Sequence, residues 1–188
     1  RYRTAERMLT RRLRPLIGKP GESSAPVGKL LNEQANDCVR HLVACCDVQD
    51  ARHGVAIDQK ALVEAFPSSF LGLMIDNPEH LSAWRGDRSD TFFRHLAATG
   101  GFSVLMECLL PGRRLTLNPS AIINHDDRAA FVCALTALCV AAGQFVAVGD
   151  EDGWIVLPPR AFIRSPQWNL LGLNAENEPL GSLHEALA

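Results

Sequence analysis

Two acidic features carry most of the chemistry that the residue types allow. Glu64 lies inside the apolar run Ala61 to Phe66 (ALVEAF). A charge there is costly unless it is paired, turned to solvent or bound to a metal. His125, Asp126 and Asp127 stand directly before the most apolar stretch of the chain. One acid at a helix start is expected, because free N–H groups and the helix dipole favour negative charge there. Two acids and a histidine exceed that need. Carboxylates from a strand and from a nearby helix start can converge on a hard divalent ion, Mg²⁺ or Mn²⁺. Two such ions could hold the attacking and leaving oxygens of a phosphodiester. This reading makes Glu64, Asp126 and Asp127 the catalytic acids, with Glu64 and Asp127 as metal ligands. Asp126 is then a further ligand or an orienting acid, and His125 positions a phosphate or leaving group. The plainer alternative leaves Glu64 alternating outward to solvent and the aspartates as helix caps.

The first fourteen residues crowd six arginines: Arg1, Arg3, Arg7, Arg11, Arg12 and Arg14. Arg7 and Arg11, one helical turn apart, are the candidates for phosphate contact; a solvated helix face is the alternative. The formal net charge of the chain is -2, so bulk charge gives a nucleic-acid partner no support. Six cysteines contain no CxxC pair, which argues against a zinc site. They read as reduced thiols of a cytoplasmic protein, with Cys133 and Cys139 in the core and Cys45-Cys46 at a buried helix end. Ser68 and Ser69 follow Pro67 with no identifiable base, as turn or capping residues. No glycine-rich phosphate loop, GxSxG elbow or HExxH helix occurs.

The elements that would position these residues follow from spacing. Tyr2 to Leu13 reads as a helix broken by Pro15, and Gly18 to Pro26 as a surface loop. Val27 to Cys46 reads as a helix. Its stripe of Leu30, Leu31, Ala35, Cys38, Leu42 and Cys45 is expected to face the core. Asp47 to Gly54 reads as a polar turn, and Ala61 to Phe66 as a buried strand. Asp87 to Leu96, with Ser89 as cap, and Phe102 to Leu110 read as helices. Asn124 to Ala142 is the clearest helix, capped by Asp126 or Asp127, ended at Gly143 and deeply buried. Phe145 to Val148 and Trp154 to Leu157 form a hairpin, with a turn longer than two residues. The tail, 167–188, shows little pattern. The expected product is one soluble α/β domain, 1–188, with no membrane span: the longest apolar run, Ala129 to Ala142, is too short.

Four stretches together resemble a known family. RTAERMLTRRL (Arg3 to Leu13) resembles an arginine-containing helix. VEAFPSSFL (Val63 to Leu71) is similar to a strand with a Glu, an aromatic and a Pro. HDDRAAFVCALTAL (His125 to Leu138) resembles an acidic, alanine-rich helix, and DGWIVLP (Asp152 to Pro158) a closing strand. The family is that of domain of unknown function 429, regarded as predicted nucleases of RNase H-like fold. The resemblance implies a mixed sheet with flanking helices and a metal site built from acids on two strands and the last core helix. Glu64 and the Asp126/Asp127 pair match two of those three places. Ala129 stands where members often carry Asp. The family's first strand, with its glycine-flanked Asp, has no counterpart here. N-terminal strands are therefore expected to be missing from this chain, so that a preceding segment or a homo-oligomer completes the sheet. The expected function is metal-dependent cleavage of nucleic acid. The alternative is a catalytically inactive RNase H-like module that binds nucleic acid, nucleotide or a protein partner.

Overall fold

A computed structural model describes residues 3–17, 26–58, 60–82 and 87–186. The short helices α1 (Thr4–Thr10) and α2 (Arg14–Ile17) open the described chain, and α3 (Pro26–Cys45) follows. The loop expected over Gly18 to Pro26 falls, except for Pro26, outside the described residues. Next come β1 (Gln49–Asp50), a 3-10 turn at Gly54–Ala56, β2 (Ala61–Leu62) and β3 (Glu64–Ala65). The expected Ala61 to Phe66 strand is thus two half-buried pairs broken at Val63. β2 joins β1 in a small parallel sheet, and β3 joins the main sheet.

Helices α4 (Pro67–Leu73), α5 (Pro78–Ser82), α6 (Arg88–Thr99), α7 (Gly101–Leu109) and α8 (His125–Ala141) lead to the hairpin of β4 (Phe145–Asp150) and β5 (Gly153–Leu157). Proline opens α4 and α5, where a missing N–H does no harm. Asp87, rather than Ser89, caps α6 by accepting from the Ser89 and Asp90 N–H groups. Asn124, rather than Asp126 or Asp127, caps α8 in the same way. The hairpin turn is the tight kind after all: Asp150 pairs with Gly153, leaving only Glu151 and Asp152 between them. Gly149 permits this closeness, since its φ is 156° and a Cβ there would lie 2.2 Å from the Gly153 carbonyl oxygen.

The stretch expected to be a formless tail holds α9 (Ser165–Glu176) and β6 (Ser182–Ala186). The main sheet runs β3-β5-β4-β6. β3 lies parallel to β5, and the two β4 pairings are antiparallel. Every residue of β4 is buried, because both faces of the sheet are covered. Phe145 and Ala147, with Trp154 and Val156 of β5, turn to Phe70, Phe92, Phe93, Phe102 and Val132. Val146 and Val148, with Ile155 and Leu157, turn to Met8, Leu9, Leu13 and Leu171. The period of two along each strand thus divides the core into a layer under α4, α6, α7 and α8 and a layer under α1, α2 and α9. Buried Asn174 ties the second layer by donating to the carbonyls of Met8 and Arg11, both at 2.7 Å. The chain is a mixed α/β structure. Among the described residues, no helix is long and apolar enough to cross a membrane.

Burial differs from expectation at several elements. α8 is not buried all round: Ala130, Cys133, Ala134 and Ala137 are exposed, while Val132, Leu135 and Cys139 face the core. Its alanine-rich face is simply the solvent side. Cys133 is therefore exposed and Cys139 buried, where burial pushes its thiol up to about 12. Ser68 and Ser69, expected as turn or capping residues, are buried in the first turn of α4. Most plainly, α3 does not turn its stripe to the core. Every side chain from Glu33 to Asp47 is exposed, Cys45 and Cys46 included.

Candidate functional site

The residues expected to do chemistry are drawn into local pairings. Glu64, about two-fifths exposed, takes an ion pair from Arg3, which also bonds Glu6. Burial works against the Arg3 charge, but Glu64 and Glu6 outweigh it and hold the guanidinium above its ordinary value. Arg7 and Arg11 converge on Glu178, with Arg7 Nε at 2.9 Å and Arg11 Nη2 at 3.3 Å. Glu178 is buried just after α9. Asp126 and Asp127 are exposed in the first turn of α8, where their backbone N–H groups donate to Asn124.

His125 does find acids. Its Nδ1 lies 3.2 Å from Asp90 Oδ1, and Arg128 Nη1 lies 3.1 Å from the same oxygen. Asp87, Asp90 and His125 bring one ligand atom each within 4.8 Å of one another. Among the described residues this is the one group of three or more such side chains so arranged, and Glu64, Asp126 and Asp127 are not in it. Each member already has structural work. Asp87 caps α6, and Asp90 balances Arg128, whose Nε donates to the Ile122 carbonyl. Burial raises the Asp87 carboxyl, but bonds from Ser89 and the Asp90 N–H, with His125 nearby, bring it below its ordinary value.

A different place has the concavity. β6 runs along β4 with His184 opposite Ala147, and the 3-10 turn Gly54–Ala56 packs over it. A Cβ on Gly54 would fall 2.4 Å from the His184 Cβ, so only glycine allows this approach. Two clefts flank the contact and share Val55 and His184. One, about 450 Å³, is walled by Arg52, His53, Asp150, Glu151 and Trp154. The other, about 690 Å³, lies toward Asp58, Gly143, Phe145 and Glu185. Both are open to solvent, with volumes in the range of small-ligand sites.

The walls of the smaller cleft are chemically mixed. Trp154 is only 3% exposed, and its indole N–H has no hydrogen-bond partner among the described residues. Asp150 is buried, with Oδ1 held by the Asp152 N–H at 3.0 Å across the hairpin turn. The His184 ring packs 5.9 Å from that of Phe145. Burial depresses its pKa, so the imidazole is neutral at neutral pH and can accept or donate. No motif links Arg52-His53-Gly54 to His184. The only sequence signal was two histidines beside Gly54 and in the tail, each unremarkable alone.

The lowered pKa values set a pH dependence of stability. At His184 the unfolded chain binds the proton more readily than the folded one. Stability is therefore present above about 6.5, the unfolded value, and falls as pH drops below it. Asp87 adds stability above about 3.8 that is lost as pH falls through its lowered folded value. Urea unfolding at pH 8, 6 and 5 should show declining stability, and the decline should be shallower in His184→Gln. An identical decline in both proteins would remove His184 as its source.

No family model, curated protein or solved structure matches the chain.

Proposed function

We propose that the chain is a small-molecule-binding α/β domain whose ligand occupies the cleft between the Gly54–Ala56 turn, β6 and the hairpin. One observation carries this reading: a cleft of about 450 Å³ whose lining brings Arg52 and His53 together with Asp150, Glu151 and His184. The rim narrows the class. Arg52 and His53 suit an anionic group, and Asp150 and Glu151 suit a cationic or donor group. The expected ligand is a small zwitterion of amino-acid type.

The test is a titration of ¹⁵N-labelled protein with amino acids and small carboxylates, reading the indole N–H that disappears in Trp154→Phe. A saturable shift of that resonance is expected. Gly54→Ala should weaken binding about tenfold or more (1.4 kcal/mol per decade) by forcing the turn off His184. If no member of the panel shifts the Trp154 signal at millimolar concentration, the reading fails.

A second reading is a divalent-metal-dependent nuclease of RNase H-like type, acting on phosphodiesters with Mg²⁺ or Mn²⁺. The convergence of Asp87, Asp90 and His125 favours it, while the engagement of Glu64, Arg7 and Arg11 by other side chains weighs against it. A rise in melting temperature with either metal, absent in Asp90→Asn and His125→Gln, would move the assignment to this reading.

A further inference from the structure

We infer that α3 is a self-association helix, and that its occupant is α3 of a second copy of this chain. The inference is independent of the cleft and rests on three observations about one element. The first is exposure. Along α3 the described side chains turn to solvent, among them Leu30 (53% exposed), Val39 (39%), Leu42 (37%) and Val43 (46%). None of the described side chains of α3 belongs to either core layer. The second is period. Ala35, Cys38, Leu42 and Cys45 recur at steps of three, four and three, and in the sequence Leu31 extends the series by another four. That alternation averages 3.5 residues, the repeat of a helix that winds against a like helix rather than lying on a sheet.

The third observation is charge. The residues flanking this seam are Gln34 and His41 on one side and Val39 and Cys46 on the other, none an acid or a base of fixed charge. The fixed charges lie elsewhere. Asp37 is paired with Arg40 at 2.6 Å, and Glu33 is the acid one turn earlier. The helix carries Lys29 and Arg40 against Glu33 and Asp37, so it is neutral as a whole. A seam with no flanking charge selects no oppositely charged partner and does not repel its own copy.

Helix formation points the same way. Gly28, Asn32, Asn36 and Asp37 are poor helix formers, so α3 draws little stability from propensity and gains from a covered face. The 20 residues of α3 span about 30 Å. That length suits a small interface and a reversible monomer–dimer equilibrium.

The test is the mass of the full chain in solution from low to high micromolar concentration, by sedimentation equilibrium. Reductant is present throughout, because Cys38, Cys45 and Cys46 are exposed and could link copies covalently. The expected result is a monomer–dimer equilibrium. Leu42→Glu should abolish the dimer and leave the thermal unfolding of the monomer unchanged, because Leu42 packs in neither core layer. Glu33→Gln, on the opposite side of α3, should leave the dimer intact. A parent chain that stays monomeric to high micromolar concentration, or a Leu42→Glu chain that dimerises as the parent does, overturns the inference.

Discussion

Replacing Arg7 and Arg11 together with methionine should lower stability by about 3 kcal/mol, because it strands a buried carboxylate. Glu178 is 6% exposed, and these two guanidinium groups are the cations placed on it. Methionine keeps much of the apolar stem packing and removes only the charge. Either single replacement should cost less, near 1 kcal/mol, since the other arginine still answers Glu178. Adding Glu178→Gln to the double variant should recover most of the loss, because a neutral amide tolerates burial better than an unpaired anion. Urea unfolding of the four proteins checks the scheme. A double variant as stable as the parent would mean that the pairing with Glu178 adds little to stability.

The second large effect should come from the aromatic core. Phe102 packs 4.9 Å from Phe93 and 5.3 Å from Phe131, ring centre to ring centre, with the Phe131 contact edge-on. The trio joins α6, α7 and α8 on the side of the sheet away from α1 and α9. Phe102 is buried, so Phe102→Ala loses its transfer free energy and leaves a cavity between three helices that cannot easily close. A loss of about 3–5 kcal/mol is expected, measured by thermal or urea unfolding. Val104→Ala on the exposed side of the same helix should stay within about 0.5 kcal/mol of the parent. A Phe102→Ala cost as small as that of Val104→Ala would mean that α7 is not part of the cooperative core.

Much of the fold was legible where local signals and packing agree. The span of α8 and the hairpin strands follow from apolar runs ended by glycine and proline. Cap identities slipped by two or three residues because several side chains at each helix start can accept a hydrogen bond, and backbone geometry chooses among them. α9 was hidden because SPQWNLLGLNAE shows no clean stripe. One of its buried positions is Asn174, which serves the core through its amide donors rather than through apolar surface. β6 was hidden because SLHEA is a strand only by virtue of its pairing with β4. α3 had the correct period and the wrong surroundings: periodicity identifies an apolar face but not what covers it. The cleft was the least legible feature, since its walls come from a loop, a hairpin turn and a strand far apart in sequence, and no spacing rule joins them.

The pairing of β6 with β4 also constrains how the protein can be made. β4 is apolar and buried, and one of its two edges is covered by residues 182–186, well downstream of it. While the chain is being synthesised, β4 and β5 can form their hairpin and α8 can pack beneath it. The outer edge of β4 still stays open until Ala186 has cleared the ribosomal tunnel. During that interval the nascent chain presents an unpaired apolar strand to its surroundings. A chaperone that shields strand edges during translation should raise the yield of native protein more than one that acts on the completed chain.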